Sequence, residues 1–464
     1  MRTLRVTSIG LTCAAALTLP LATPAPAAPA GPASAAPTAD PPGSTQSLPL
    51  APLGQQSRDR VTGSPVAPGL QGLGRREVRP FSLVGVVWED VGTELHGAVQ
   101  VRTRSADTSR WSDWQDLETH NSEHAADAGS AEGLAPGVRG ATAPLWVGAS
   151  DGVEVRVIPE GDAADTPTGT AGLPDGMRLE LVDPGPAPDT DAPDDGPRDE
   201  RAPDAPDTRV AAPGRTAPGT ADASAATVLP ALTREETEAE AAQETRTGQE
   251  GSTEAAGALA AKPYIGPRPR IVTRKGWGAD EKLREKNFAY TSTVKAAFVH
   301  HSATGNNYTC AQAPSVLRGI YRYHVKSNGW RDIGYNFAVD KCGNIYEGRA
   351  GGVTKAVLGA HTLGFNSNST GIAVLGSYGS TNPPAAAVNG VAKLTAWKLG
   401  LFGANPKGKV TLVSGGSNKY KKGKKVKLNV ISGHRDGYAT ECPGARLYKK
   451  LGTARTSSAR LQGR

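Results

Sequence analysis

The chain is short of three things: cysteine, long apolar runs and, over its last two hundred residues, acidic side chains. Four cysteines in 464 residues exclude a small scaffold held together by a dense set of bridges. After Leu21 no stretch approaches the roughly 20 apolar residues that a membrane helix takes, so no stable membrane span is expected in the product. From residue 263 onward there are 32 Lys and Arg against 8 Asp and Glu, whereas the rest of the chain has 20 against 37, within an overall charge of +7. A strongly basic C-terminal body on an acidic stretch seeks anionic partners through attraction that salt weakens. What the chain has in quantity is Gly and Pro, 92 of 464 residues, with most prolines before the last two hundred positions. That composition leaves much of the N-terminal half poorly equipped to bury a core.

Arg2 and Arg5 precede a mostly apolar run from Val6 to Leu21, and Ala25-Pro26-Ala27-Ala28 offers small-residue cleavage choices. This is the layout of a secretory signal peptide over residues 1–28. It predicts a secreted, extracellular product associated with the cell wall. In that compartment the anionic partners are wall polymers or membrane surfaces, and nucleic acid is not expected. Cys13 lies inside the leader after Gly10-Leu11-Thr12, a poor lipoprotein site. Of Cys310, Cys342 and Cys442, an oxidising compartment should pair two and leave one with another task.

Residues 29–77 read as a disordered Ala/Pro-rich stalk. From Phe81 short alternating runs begin, among them Val99, Val101, Thr103 and Val153, Val155, Val157, separated by Gly, Asp and Pro. This period of two predicts a small all-β accessory domain over 78–184, as a sandwich. Its Trp111, Trp114 and Trp146 suit either a core or a sugar-stacking surface. Residues 186–261 carry 16 acidic and 6 basic side chains and predict a disordered acidic linker over 185–262, in which EETEAEAAQE is a transient helix at most. Residues 263–452 alternate strands (KAAFVHHSA, YNFAVD, NIYEG, GIAVLGSY, KLNVISGH) with helices beginning near Ala311 and spanning about 385–402. The fold class is therefore multidomain: a C-terminal mixed α/β domain, its central mixed sheet flanked by helices, follows the small all-β domain and the disordered linker. Residues 453–464 read as a flexible tail.

Chemistry concentrates in two places. His434 and Cys442 stand eight residues apart in GHRDGYATECPG, and FVHHSAT supplies His300 and His301. A hydrolytic zinc keeps three protein ligands and leaves a position for water. Successive strand residues face opposite ways, so His300 and His301 cannot both reach one metal, and strand geometry does not choose between them. Cys442 is the thiol left over if Cys310 pairs with Cys342. A cysteine hydrolase with Cys442 as nucleophile and His434 as base is the rival chemistry; it would survive chelation and be killed by alkylation.

Four ordered segments, VHHSAT, GWRDIGYNFAVDKCGNIYEGR, GAHTLGFNSNSTGIAVLGSY and GHRDGYATECPG, resemble the peptidoglycan recognition protein and N-acetylmuramoyl-L-alanine amidase family (the type 2 amidase domain). The resemblance covers about 264–450. It implies Zn2+ held by His300, His434 and Cys442, and so selects His300 over His301. It implies hydrolysis of the amide between the lactyl group of N-acetylmuramic acid and L-alanine in peptidoglycan, with Tyr335 assisting the water or the oxyanion. A peptidoglycan-binding protein of the same fold without catalysis is the alternative, and such members commonly lack the Cys ligand. Thr440 stands where some members carry a catalytic Lys, and it is assigned an assisting role. His361, with Asn336 and Arg349, resembles residues of the muramyl-peptide groove. Cys310 and Cys342 are taken as a structural disulfide. After Arg349 the Gly-Trp pair common in animal members that bind diaminopimelate is missing, so stem-peptide preference does not carry over. The Lys-rich segment NPKGKVTLVSGGSNKYKKGKKVKLN is expected to form a hairpin that either holds anionic wall polymers or is simply solvated.

Overall fold

The computed structural model describes residues 43–53, 69–160, 173–186, 226–249 and 264–464. The expected signal peptide and most of the acidic linker lie outside them. The N-terminal module is built from β1 (Ser44–Pro49), β2 (Ala51–Pro52), β3 (Gln71–Trp88), β4 (Gly97–Ser105), β5 (Gln115–Leu117), β6 (Gly140–Ala141), β7 (Leu145–Pro159) and β8 (Arg178–Asp183). The alternation read from the sequence is physical: Val99, Val101, Val153, Val155 and Val157 are fully buried and their neighbours face outward. The strands form one antiparallel network in the order β1-β8-β3-β7-β4-β5, with β2 and β6 also on β3, and residues of β3, β4, β7 and β8 share one core. Register shifts between Leu73 and Leu83 bend the long β3. Its first part thus pairs with β2, and its second with β8 and β6. Trp146 is buried, whereas Trp111 and Trp114 sit partly exposed beneath Arg75, Arg102 and Arg156.

The C-terminal domain continues with β9 (Val228–Leu229), α1 (Arg234–Gln249), β10 (Ile271–Val272), β11 (Ala296–His301), α2 (Ala313–Arg322), β12 (Phe337–Val339), β13 (Ile345–Glu347) and β14 (Ser369–Val374). It closes with α3 (Ala385–Leu401), β15 (Lys409–Val413), β16 (Lys425–Asn429), β17 (Ile431–Gly433) and α4 (Ala445–Leu461). Its sheet runs β17-β11-β14-β12-β13-β10-β9 and is mixed as expected: β11 is parallel to β14 and β17, while β12 and β13 form the anticipated hairpin. The Lys-rich segment is a second hairpin, β15 with β16.

Three expectations about boundaries are corrected. β1, and β3 from Gln71, fall within the expected stalk; β1 pairs with β8 over six residues, but STQSLP is a half-exposed edge with no apolar alternation to betray it. The acidic stretch is not all linker, because β9 pairs with β10 and α1 docks on the C-terminal domain. Arg234 donates to the carbonyls of Leu461 and Gln462, and Arg268 pairs with Glu240. These partners are remote in sequence, which is why composition alone suggested disorder. The expected tail is the second half of α4, where Leu447, Leu451, Ala454 and Ser458 recur on one buried face and Ser458 hydrogen-bonds Thr395 of α3.

The module is packed directly on the C-terminal domain. One apolar cluster joins Leu83, Val87, Trp146 and Val182 to Val316, Leu317, Ile320 and Tyr323. The Tyr323 hydroxyl donates to the carbonyls of Val86 and Thr142, and Arg318 to those of Pro184 and Gly185. The two parts therefore do not behave as bodies joined only by a tether.

Candidate active site

Alternation along β11 sends Phe298 and His300 to one face and Val299 into the core on the other. His434 opens a single helical turn, His434–Gly437, directly after β17, and β17 lies beside β11. The Asp436 carboxylate accepts the Gly433 N–H at 2.9 Å and the Tyr448 hydroxyl at 2.6 Å. The Arg435 N–H donates to the Cys442 carbonyl at 3.0 Å, closing the loop so that His434 and Cys442 face each other. Cys442 Sγ lies 3.8 Å from His300 Nδ1. His301 turns aside, its Nδ1 accepting the Tyr378 N–H at 3.4 Å.

A fourth residue joins them that the sequence reading did not find. His124, in the connection between β5 and β6 of the N-terminal module, places Nε2 3.2 Å from His434 Nδ1 and 3.4 Å from Cys442 Sγ. The four donors of His124, His300, His434 and Cys442 lie within 4.8 Å of one another and all four residues are buried. A tetrahedral zinc with bonds of about 2.0 Å to nitrogen and about 2.3 Å to sulfur needs donor separations of about 3.3–3.6 Å. Three observed edges, 3.2, 3.4 and 3.8 Å, lie close to that range and the set spans up to 4.8 Å; three imidazoles and a thiol are the donor chemistry that zinc takes, with the longest edge contracting on binding. Burial, and then the neighbouring imidazoles, hold His300, His434 and His124 well below the ordinary histidine range, so each is a neutral ligand. Burial first, and then Glu123 and Glu118, push the Cys442 thiol up; a cation at these donors is what would keep it a thiolate.

Behind His300 runs a polar chain. His300 Nε2 is 3.4 Å from Thr362 Oγ1, which is 3.0 Å from His361 Nδ1, and His361 Nε2 is 3.4 Å from Ser369 Oγ. His361 is fully buried and its ring packs on that of His300 at 5.3 Å between centroids. It lies behind the donors rather than along an open groove. Asn336 is buried too, bridging the Val357 carbonyl and the Gly371 N–H. Tyr335 stands beside the donors, its ring 5.5 Å from that of His300, and burial pushes its hydroxyl well above the ordinary tyrosine range. Thr440 Oγ1 accepts the Cys442 N–H at 3.1 Å and donates to Glu123 at 2.6 Å. Arg349 is engaged by both oxygens of Glu132 at 2.7 and 2.8 Å. Both charges are buried, so removing one partner would cost about 3–5 kcal/mol. The disulfide joins Cys310 to Cys342, and Cys442 is free among the described cysteines.

Residues 290–445 match the family described as N-acetylmuramoyl-L-alanine amidase. Over 183 residues the chain is 35% identical to peptidoglycan-recognition protein SC2 of Drosophila simulans, covering 39% of this chain and 85% of that protein. The chain belongs to the peptidoglycan recognition protein and N-acetylmuramoyl-L-alanine amidase family. Another relative is the human N-acetylmuramoyl-L-alanine amidase, 31% identical over 193 residues that cover 40% of this chain and 28% of that protein. A solved structure of peptidoglycan recognition protein-LE matches 39% of this chain and 92% of its own at 30% identity, with a TM-score of 0.31. Residues 31–176 match a family described as Rv3811 N-terminal galactose-binding domain-like. In this family member, then, the connection that delivers His124 belongs to a module outside the amidase match. A histidine in SEHAADAG carries no ligand signal, and only its approach in space exposes it.

Proposed function

We propose that the chain is an exported, zinc-dependent N-acetylmuramoyl-L-alanine amidase that frees stem peptide from the glycan of peptidoglycan. The observation that carries this reading is the convergence of His300, His434 and Cys442 on one buried point with Tyr335 alongside. It is supported by the names of the relatives, a peptidoglycan-recognition protein and an amidase. Zinc bound there would supply a water activated near neutral pH and a Lewis acid for the scissile carbonyl. The chain's own groups do the rest. His300 keeps Nδ1 free as a ligand because Nε2–H faces Thr362, and the Thr362–His361–Ser369 chain holds that tautomer. Tyr335, protonated through burial, donates to the oxygen on which charge develops. Thr440 braces Cys442 through its backbone N–H. Arg349, held by Glu132 in the folded chain, is the groove cation that an anionic part of the stem peptide would take over from that carboxylate, whereas His361 and Asn336 support the site from behind.

The Lys-rich hairpin offers a surface for anionic wall polymers, and the N-terminal leader accounts for export to the wall; among the described residues no helix is long and apolar enough to cross a membrane. The test is digestion of purified peptidoglycan followed by mass analysis, for the chain and for Cys442→Ala. Stem peptides beginning with L-alanine are expected from the chain and not from the variant, which should also hold zinc more weakly. Intact glycan–peptide linkages after prolonged digestion, with the segment around His124 both intact and loosened by mutation, would overturn the reading. Activity that resists chelation but dies on alkylation would instead favour a Cys442 nucleophile.

A further inference from the structure

We infer that residues 118–139 of the N-terminal module form a plug in which His124 is a fourth protein ligand of the zinc, so that the folded chain is a latent enzyme. The inference rests on the amidase reading and names the regulation of that site. A hydrolytic zinc needs a position for water. Here His124 Nε2 stands 3.2 Å from His434 Nδ1 and 3.4 Å from Cys442 Sγ, completing a set of four donors of which it is the only one from the module. Structural zinc sites are closed by four protein ligands in this way, and catalytic sites are not.

The segment around His124 occupies what a substrate would need. Glu123 takes the Thr440 hydroxyl at 2.6 Å and its carbonyl takes the Leu363 N–H at 2.9 Å. Asp127 accepts from the Gly364 N–H at 2.7 Å and from Asn366 at 2.8 Å. Glu132 holds Arg349 by two hydrogen bonds, and the Arg139 N–H donates to the Asn328 carbonyl at 3.0 Å. Together the anchors reach four places in the amidase domain, at Asn328, Arg349, Leu363–Asn366 and Thr440, so the segment lies across the donors rather than at their edge. A crevice beside them, lined by His120, Glu123, His301, Thr440 and Cys442, has room for about one water molecule. A glycan-linked peptide cannot enter it. Because the ligand is part of the same chain, it competes with water and substrate at high effective concentration, and opening requires the segment to be displaced.

The test uses the full chain loaded with Co2+ in place of Zn2+, and peptidoglycan digestion by the zinc form. The wild-type visible spectrum should be that of a four-coordinate site with three nitrogens and one sulfur, unmoved by added azide. In His124→Ala azide should shift the bands, and stem-peptide release should rise by about tenfold or more, the ratio by which the closed state then outweighs the open one. Glu132→Gln and Asp127→Ala keep all four donors, and both should speed zinc loss to a chelator and raise release. They keep the inference testable if His124→Ala does not fold. Wild-type bands that azide moves as readily as those of His124→Ala would overturn it, as would slower release from His124→Ala at equal zinc content. If the spectra differ as expected while no protein releases peptide, the ligation stands and the amidase reading falls.

Discussion

At the scale of the residue, the site separates groups that bind from groups that hold. Tyr335 packs its ring against His300 and His324, and Tyr335→Phe keeps that ring while removing the hydroxyl, so it should lower the rate of amide hydrolysis by about 10²–10³-fold, as loss of one oxyanion donor does, with zinc content unchanged. Equal rates at equal zinc would remove Tyr335 from the chemistry. His324 is a different kind of histidine: buried against Trp330 and Tyr335, it accepts the Gly334 N–H at its Nδ1. Burial, and then Arg349, lowers its pKa from 6.5 to about 3. A folded-state pKa below the unfolded value stabilises fully above the unfolded pKa and is lost as pH falls toward the folded one. Stability should therefore decline on acidification between about 6.5 and about 3. His324→Gln should narrow the difference between urea unfolding free energies at neutral and acidic pH, and an unchanged difference would clear His324 of that role. His434 and Cys442 are legible as candidates from their local string, whereas FVHHSAT offers His300 and His301 alike and only the resemblance of the ordered motifs separates them. His361 is legible only as a residue of interest, since whether a loop histidine faces a groove or a metal ligand depends on which strand lies behind it.

At the scale of the element, patterns were readable where one face is apolar, as in β4, β7 and α2, or where a short apolar run is buried on both faces, as in β11 and β12. Elements whose stability comes from remote polar partners were not. β1 is read only once β8 is beside it, and α1 only once Arg268 and the end of α4 are. The disulfide between Cys310 and Cys342 spans 32 residues, for which loop-closure entropy in the unfolded chain gives about 3–4 kcal/mol. Replacing both cysteines by serine should lower the urea midpoint accordingly, and a midpoint within experimental scatter of wild type would show the bridge to be thermodynamically idle. Packing of the module onto the end of α2 leaves no room at Gly85, where an added Cβ would run into the Tyr323 hydroxyl. Gly85→Val should cost about 1–3 kcal/mol through overpacking and loosen the module, seen as faster proteolysis between the two parts. Proteolysis at the wild-type rate would contradict the packing argument.

At the scale of the whole molecule, the uneven charge becomes a division of labour. Lys421, Lys422, Lys424 and Lys425 lie on the exposed end of the β15–β16 hairpin, free of any task in the core. Changing all four to Gln should weaken sedimentation with cell walls at low salt and much less at high salt, since exposed charges are screened beyond about 10 Å at 0.1 M ionic strength. Binding unchanged at low salt would leave the hairpin merely solvated. The module, by contrast, is held by a shared apolar cluster and buried hydrogen bonds, which salt does not loosen.

By itself the sequence determined the mixed-sheet domain and the all-β module before it, and singled out His434, Cys442 and the His300–His301 pair as candidates, with the family resemblance of its motifs selecting His300, because strand alternation and short ordered motifs are local properties of a chain. Tertiary structure alone decided that the module is docked rather than tethered and that His124 stands with those three residues. The reason is physical: a ligand set is defined by distances between donor atoms, and 176 residues of chain separate His124 from His300, so no local pattern could encode their meeting.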